Sequence, residues 1–194
     1  MDCAFAVQGK DYILLATDRA VMTSIIKLQD SDTKTIQLSE NQIMAVCGDN
    51  HDRKTFSKLV QCNMDYYYYM NGNRLTTSEA ASYTRNLLAE AIRKHPYQCN
   101  VIIAGCDVEG PKLYWIDYLG SMQQVTKAAH GYGAHFLYGI MDNYYKKDFD
   151  YETGEKCIKS CINELKTRFL VNMVKFNVYK ISKDKIEDIS IKFN

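Results

Sequence analysis

The chain has 194 residues, a length that suits one compact domain able to bury a large core without disulfides. Its 46% hydrophobic and 24% charged residues are ordinary for a soluble globular protein, which excludes the disordered and fibrous classes. The formal net charge of +1 gives no overall field that would attract nucleic acid or an acidic membrane surface, so neither is expected as a partner.

The first quarter of the chain is predicted to be entirely β. Two β-favouring runs flank Gly9-Lys10, which predicts a hairpin with a two-residue turn. A polar turn at residues 29–32 separates two further strands, and a nearly continuous apolar run ends at Gly48. The predicted strands cover residues 3–8, 12–17, 24–27, 33–38 and 42–47.

A pair of helices is predicted next. Apolar residues recur at spacings of three and four over residues 50–70, which indicates a helix that ends near Gly72. Thr76 and Glu79 form a capping-box pattern at the start of a second helix. That helix is expected to end before Pro96, because the residue ahead of a proline disfavours the helical conformation.

The rest of the chain repeats this plan of strands followed by two helices. The predicted strands are residues 99–106 and 112–117, a short pair between residues 121 and 130, and residues 175–182 and 186–191. The predicted helices are residues 134–147 and 151–169, with Asp150 as the N-cap of the second.

The order of these elements predicts the fold class. Runs of strands alternate with runs of helices, without the strict βαβ order of a parallel sheet. This order favours an α+β protein with antiparallel sheets. A four-layer αββα sandwich, in which two antiparallel sheets are flanked by helix pairs, would bury every apolar stripe. We therefore expect a single domain over residues 1–194.

The cysteines and the first residues indicate the compartment. Seven cysteines form an odd set without a CxxC pair, which favours a reducing compartment and small core residues. The start of the chain alternates in polarity and contains Asp2 and Asp11, unlike a signal peptide or a membrane span. We therefore expect the protein in the cytoplasm and the nucleus.

Metal and cofactor sites are not indicated. Cys157 and Cys161 share a helix face, but no histidine lies nearby in sequence, so no metal is expected. The chain has neither a Walker loop nor a GxGxxG pattern, so no nucleotide cofactor is expected. The histidines leave a Ser/His/Asp or Cys/His arrangement open, although none lies in a recognisable nucleophile motif: His51, His95, His130 and His135.

Motifs in order along the chain resemble those of proteasome beta subunits. GKDYILLATDR at residues 9–19 resembles the opening hairpin of the family, and MAVCGD at residues 44–49 is similar to the strand and glycine before its first helix. VIIAGCD at residues 101–107 and LYWID at residues 113–117 are similar to later strands, and AAHGYG at residues 128–133 to a glycine-bracketed turn. The resemblance covers roughly the whole chain and implies the N-terminal-nucleophile hydrolase fold.

Within this family the chain is most similar to one non-catalytic subgroup. The features that carry this similarity are the absence of a propeptide, the HGYG turn at residues 130–133, the pair Tyr144-Tyr145, and ELKTRF at residues 164–169. The resemblance therefore implies a beta subunit that performs no hydrolysis itself.

The position of the nucleophile is occupied by an acid. Active members of the family use a terminal threonine, whose free amine helps to deprotonate its own hydroxyl. Aligning the first hairpin on Asp18 and Arg19 places Asp2, preceded by Met1, where that threonine would stand. A carboxylate supplies neither the hydroxyl nor the amine. Trimming to Cys3 would expose a thiol, but strand alternation turns Cys3 to the opposite face.

The positions that support the nucleophile are only partly retained. Asp18 and Lys34 match the carboxylate and the lysine that, by resemblance, tune the nucleophile, and we interpret them as a retained ion pair. Tyr132 stands where active relatives have a serine, and Phe169 and Asn172 where they have an aspartate and a second serine. An aromatic ring there is expected to take the room for substrate. No catalytic, cofactor-binding or metal-binding residue is therefore assigned.

The resemblance implies an architectural function in the 20S proteasome core. The expected partners are beta subunits of the same ring and of the opposite beta ring, together with alpha-ring subunits, and no small-molecule substrate is expected. Four consecutive tyrosines at residues 66–69 point in all directions from a helix, so at least one ring is expected to remain for an interface. An active threonine-type peptidase and a free-standing binding module are the alternatives.

Overall fold

The computed structural model describes residues 2–24, 26–145, 149–171 and 173–193. The strands are β1 Ala4–Gln8, β2 Ile13–Asp18, β3 Val21–Thr23, β4 Ile26–Gln29, β5 Thr35–Ser39, β6 Gln42–Gly48, β7 Cys99–Asp107, β8 Gly110–Ile116, β9 Met122–Val125, β10 Lys127–His130, β11 Phe176–Ile181 and β12 Ile186–Asp188. The helices are α1 Asn50–Asn71, α2 Thr77–Ala91, α3 Ala134–Tyr144 and α4 Tyr151–Arg168, followed by a short 3-10 helix at Ser190–Lys192.

The strands form two five-stranded sheets and a small ribbon. The first sheet has the order β10-β1-β2-β11-β12 and the second has the order β5-β6-β7-β8-β9, while β3 pairs only with β4. The strand pairs of both sheets are antiparallel. The first sheet combines strands from both ends of the chain, so the opening hairpin β1-β2 lies in its interior, between β10 and β11.

The two sheets pack face to face, and a helix pair covers each outer face. Helices α3 and α4 pack on the first sheet, and α1 and α2 pack on the second. Because strand side chains alternate between faces, each sheet buries both of its sides. The side chains between the sheets are small or aliphatic and include Ala4, Ala6, Ile13, Leu15, Ile43, Ala45, Ile102 and Ala104. The predicted α+β class and four-layer αββα sandwich are confirmed.

The helix ends follow the predicted capping signals. At the start of α1 the Asp49 carboxylate accepts backbone N–H groups, and Gly72 ends the helix in the left-handed conformation at φ 73°. Thr76 and Glu79 form the predicted capping box of α2, and Asp150 caps α4. Within the described ranges, none of these helices is long and apolar enough to cross a bilayer.

Some predicted boundaries are wrong. The strand predicted at residues 24–27 overlaps β4, but the short strand β3 before it was not predicted. The final strand stops at Asp188 and not at residue 191, because the Ser190 hydroxyl accepts the Val178 N–H at 2.9 Å and the chain turns away from the sheet. Helix α3 ends at Tyr144, and residues 146 and 147 of its predicted span lie outside the described residues.

The cysteines behave as the sequence predicts. Six of the seven are buried, and Cys62 on α1 is exposed. Cys157 and Cys161 lie on the buried side of α4 and pack against the first sheet. In the part of the chain that the structure describes, no group of three or more His, Cys, Asp or Glu side chains could hold a metal ion.

His130, at the end of β10, is a buried structural residue. Its ring stacks on that of Trp115 from β8 with centroids 4.8 Å apart, and its Nε2 lies 3.1 Å from the Val101 carbonyl oxygen. Burial disfavours the charged imidazolium and lowers the pKa of His130 from 6.5 to about 4. The ring is therefore neutral at physiological pH and connects strands of both sheets.

We expect the stability of the chain to fall in mild acid because of His130. The folded pKa lies below the unfolded one, so the unfolded state binds the proton more readily. Stability is full above pH 6.5 and falls by up to about 3 kcal/mol as the pH approaches about 4. The measurement is the free energy of unfolding in denaturant at several pH values between about 4 and 6.5. This free energy should depend less on pH in His130→Gln than in wild type. The control is His51→Gln, which changes an exposed histidine and should keep the pH dependence of wild type. Equal pH dependence in wild type and His130→Gln would contradict the assignment.

Candidate functional site

A buried ion network lies where the ends of β1 and β2 meet those of β5 and β6. We call it the Lys34 network, and its members are Asp2, Asp18, Asp32, Lys34 and Arg53. Lys34 Nζ lies 2.6 Å from Asp2 Oδ1 and 2.7 Å from Asp18 Oδ2, and it donates to the Ala20 carbonyl oxygen at 2.7 Å. An ammonium has three N–H donors, so these contacts satisfy all of them.

Asp18 and Lys34 form the predicted ion pair. Asp18 ends β2, and its carboxylate also accepts the N–H of Cys3 at 2.7 Å and of Ala20 at 3.0 Å. Burial by itself would lower the pKa of Lys34, but the Asp18 and Asp2 carboxylates outweigh it and hold that pKa above its ordinary value. Burial raises the pKa of the Asp18 carboxyl against the opposing effect of Lys34. Lys34 is therefore held in its charged form.

Asp2 is bound by donors from the second sheet and from α1. Its Oδ2 accepts the Gly48 N–H at 3.1 Å and lies 3.6 Å from Arg53 Nε. Gly48 has φ 147°, and a Cβ at this position would come within 2.1 Å of the Gln98 carbonyl oxygen, so only glycine fits there. The backbone at the end of β6 is thus fixed with its N–H directed at Asp2.

Arg53 and Asp32 belong to the network but were not predicted from the sequence. Arg53, in the first turn of α1, is buried, and its Nη2 donates to Asp32 Oδ2 at 2.5 Å and to Asn50 Oδ1 at 3.1 Å. The signal that could have identified it is its position on the apolar stripe of α1, three residues before the buried Phe56. A charged residue on a buried stripe requires a buried partner.

Cys3 faces away from the network, as predicted. Its side chain is fully buried on the opposite face of β1, among residues of α4 that include Leu165 and Cys161. Burial raises the pKa of the Cys3 thiol far above its ordinary value, with a smaller contribution from Asp18. A buried thiol that resists ionisation is a core residue and a poor nucleophile.

Two aromatic residues stand at positions where active relatives have polar side chains. Tyr132 is 67% exposed, so its ring is not packed into the buried network, and its expected effect on substrate stays a prediction. Phe169 caps the end of α4, meets the ring of Phe136 edge-on, and packs on a small cluster that contains Met22. Asn172 lies outside the described residues. The space beside Lys34 is taken by the Asp2 carboxylate and not by an aromatic ring.

The fold and the site together define the class of protein. Two antiparallel sheets between helix pairs, with the Lys34 ammonium and the Asp18 carboxylate beside the start of the first strand, form the framework of the N-terminal-nucleophile hydrolase fold. The family model described as "Proteasome subunit" matches residues 2–181. The chain therefore belongs to the proteasome subunit family, and its relatives include beta subunits.

Three relatives show the position within the family. "Proteasome subunit beta type-2-A" of Arabidopsis thaliana is 35% identical, over 97% of this chain and 93% of its own length. "Proteasome subunit beta type-2" of Dictyostelium discoideum is 37% identical, over 89% of each chain. "Probable proteasome subunit beta type-4" of Schizosaccharomyces pombe is 32% identical, over 98% of this chain and all of its own. The HGYG turn and the ELKTRF segment predicted similarity to beta type-2 subunits, and the names of the first two relatives confirm it.

Replacing Lys34 by methionine should strongly destabilise the fold. Methionine keeps much of the side-chain volume but leaves two buried carboxylates without their shared cation, and breaking a buried ion pair on one side costs about 3–5 kcal/mol. The measurement is the free energy of unfolding in denaturant. Lys112→Met is the matched control, because its ion pair with Glu109 is at the surface, and it should leave stability nearly unchanged. An equal loss of unfolding free energy in both variants would show that the buried ion network stabilises the fold no more than a surface ion pair does.

Proposed function

We propose that this chain is a non-catalytic structural subunit of the 20S proteasome core, and that it forms part of the beta ring around the proteolytic chamber used in ubiquitin-dependent degradation. The observation that carries the proposal is the Asp2 carboxylate, 2.6 Å from Lys34 Nζ, at the position where active relatives present a terminal threonine. A carboxylate has no hydroxyl proton to transfer and no free amine to receive it.

The donors around Asp2 support an inactive state. Lys34 gives its three N–H groups to Asp2, Asp18 and the Ala20 carbonyl, so none is left to lower the pKa of an attacking hydroxyl. The Gly48 N–H could stabilise an oxyanion, but it donates to Asp2 Oδ2. Lys34 and the Gly48 N–H are thus both engaged with the side chain that replaces the nucleophile.

The exposed tyrosines of α1 support a role in assembly. Tyr66, Tyr68 and Tyr69 are 66%, 37% and 82% exposed, which confirms that the core leaves some of these rings free. Exposed aromatic residues on a helix are typical of interfaces between subunits. The proposed neighbours are beta subunits of the same and the opposite ring and alpha-ring subunits, and the proposed location is the cytoplasm and the nucleus.

Assembly can be tested with the double variant Tyr66→Ser/Tyr69→Ser. We expect its free energy of unfolding to change by no more than about 0.5 kcal/mol, because both rings are outside the core. Native pull-down of a tagged chain followed by gel filtration should show less of this variant than of wild type in a very large particle. Val108→Ser removes an exposed apolar side chain at the turn between β7 and β8 and is the control. Elution of wild type near 22 kDa without partners would favour the free-standing binding module.

Restoring a terminal threonine should not restore hydrolysis. We expect Asp2→Thr, with Met1 removed, to show no peptidase activity above background, because Tyr132, Phe169 and Asn172 replace the serine, the aspartate and the second serine that support the nucleophile in active relatives. The assay is cleavage of fluorogenic peptides by particles that contain the variant, with the other beta active sites inhibited beforehand. Cleavage that a threonine-directed inhibitor blocks would favour the active peptidase instead.

A further inference from the structure

Three hydrogen-bond donors converge on the Asp2 carboxylate from separate parts of the fold. Lys34 Nζ lies 2.6 Å from Oδ1, the Gly48 N–H donates to Oδ2 at 3.1 Å, and Arg53 Nε lies 3.6 Å from Oδ2. Lys34 precedes β5, Gly48 ends β6 and Arg53 belongs to α1, whereas Asp2 precedes β1 in the other sheet. Asp2 thus reaches across from its own sheet into a set of donors that the other half of the molecule provides.

The donors are arranged as a site for an anion. Three carboxylates, Asp2, Asp18 and Asp32, are balanced by the buried Lys34 and Arg53 and by the more exposed Lys54 near Asp32. Without Asp2, two carboxylates and three cations remain, and their net charge is +1. The buried Lys34 ammonium would be left with an N–H that has lost its acceptor, which is a costly state, and the Gly48 N–H would lose its partner too.

Arg53 adds a donor that the present contact does not satisfy. Its side chain is 3% exposed, and its buried Nε has no hydrogen-bond partner among the described residues. The distance of 3.6 Å to Asp2 Oδ2 is too long for a good hydrogen bond. Because Asp2 is covalently attached to β1, its carboxylate does not come close enough to accept a hydrogen bond from Arg53 Nε. A free anion could approach this donor more closely.

The site lies near the surface, because Gly48 is exposed, but the Asp2 side chain itself is nearly buried. Asp2 is 8% exposed, and the backbone of Gly131 lies so close to the Asp2 carbonyl that a Cβ on Gly131 would come within 1.8 Å of that oxygen. Truncating Asp2 to alanine frees the volume of its own carboxylate, which is the size of a small anion.

We propose that Lys34, Gly48 and Arg53 form a binding site for a small monocarboxylate, and that Asp2 occupies it as an intramolecular ligand. The side chain that replaces the nucleophile is in this view the occupant of an anion site that connects the two sheets. The proposal concerns the isolated fold, so its test does not depend on assembly or on the absence of hydrolysis.

The test is rescue of a truncated Asp2 by a free carboxylate. Asp2→Ala removes one carboxylate group, for which formate is the matching replacement. Thermal unfolding of the full chain is followed in sodium formate and in sodium chloride of equal ionic strength. We expect formate at ten times its Kd to raise the melting temperature of Asp2→Ala by about 3–5 °C more than chloride does, with saturation.

Matched variants test the size and the charge of the site. Asp2→Gly leaves room for one more carbon, so acetate should stabilise it better than it stabilises Asp2→Ala. Wild type and Asp2→Asn keep the site filled and should respond equally to formate and chloride. If Asp2→Ala is unfolded in chloride, its refolding is titrated with formate, and recovery of the folded state supports the proposal.

Two results would overturn the proposal. The first is an Asp2→Ala chain that responds to formate as it does to chloride, or that formate fails to refold. The second is a formate effect of the same size in wild type, which would place the anion elsewhere on the chain.

Discussion

The structure depends on the buried ammonium of Lys34, which connects the two sheets through Asp2 and Asp18. These acids lie at the ends of the strands in the first sheet, and Lys34 leads into the first strand of the second. Burying charge is costly, and the cost is offset only where each donor and acceptor is satisfied. Here three acceptors surround one ammonium, so the contact holds the sheet ends in one relative position.

The same groups could support hydrolysis or abolish it, depending on one side chain. A lysine and an aspartate beside a terminal hydroxyl can tune a nucleophile. Beside a carboxylate, the lysine becomes the counterion of that carboxylate, and the Gly48 N–H becomes its second donor. The presence of Asp18 and Lys34 is therefore no sign of activity by itself, because Lys34 also binds Asp2, and Asp18 is a second partner of that lysine.

The features that could be predicted from the sequence are those set by residues close to one another along the chain. The hairpin of β1 and β2, the capping box at Thr76 and the alternation that turns Cys3 away from Asp2 all follow from neighbouring residues, although the turn of the hairpin spans residues 9–12 and not the predicted two residues. The contact of Arg53 with Asp2 and Asp32 joins segments distant in sequence, and no local pattern encodes it. The exposure of Tyr132 was missed for a related reason, since a position in a motif does not state where the side chain points.

Exposed apolar residues on several elements indicate surfaces that neighbouring subunits would cover. Leu28 on β4, Tyr69 on α1, Leu170 after α4 and Ile191 near the end of the chain are 64%, 82%, 87% and 96% exposed. Single exposed apolar residues are normal on a monomer. These four belong to different elements, and the ribbon that carries Leu28 is exposed along all of β4. Apolar side chains on separate elements suit a subunit with several neighbours better than a module with one binding face.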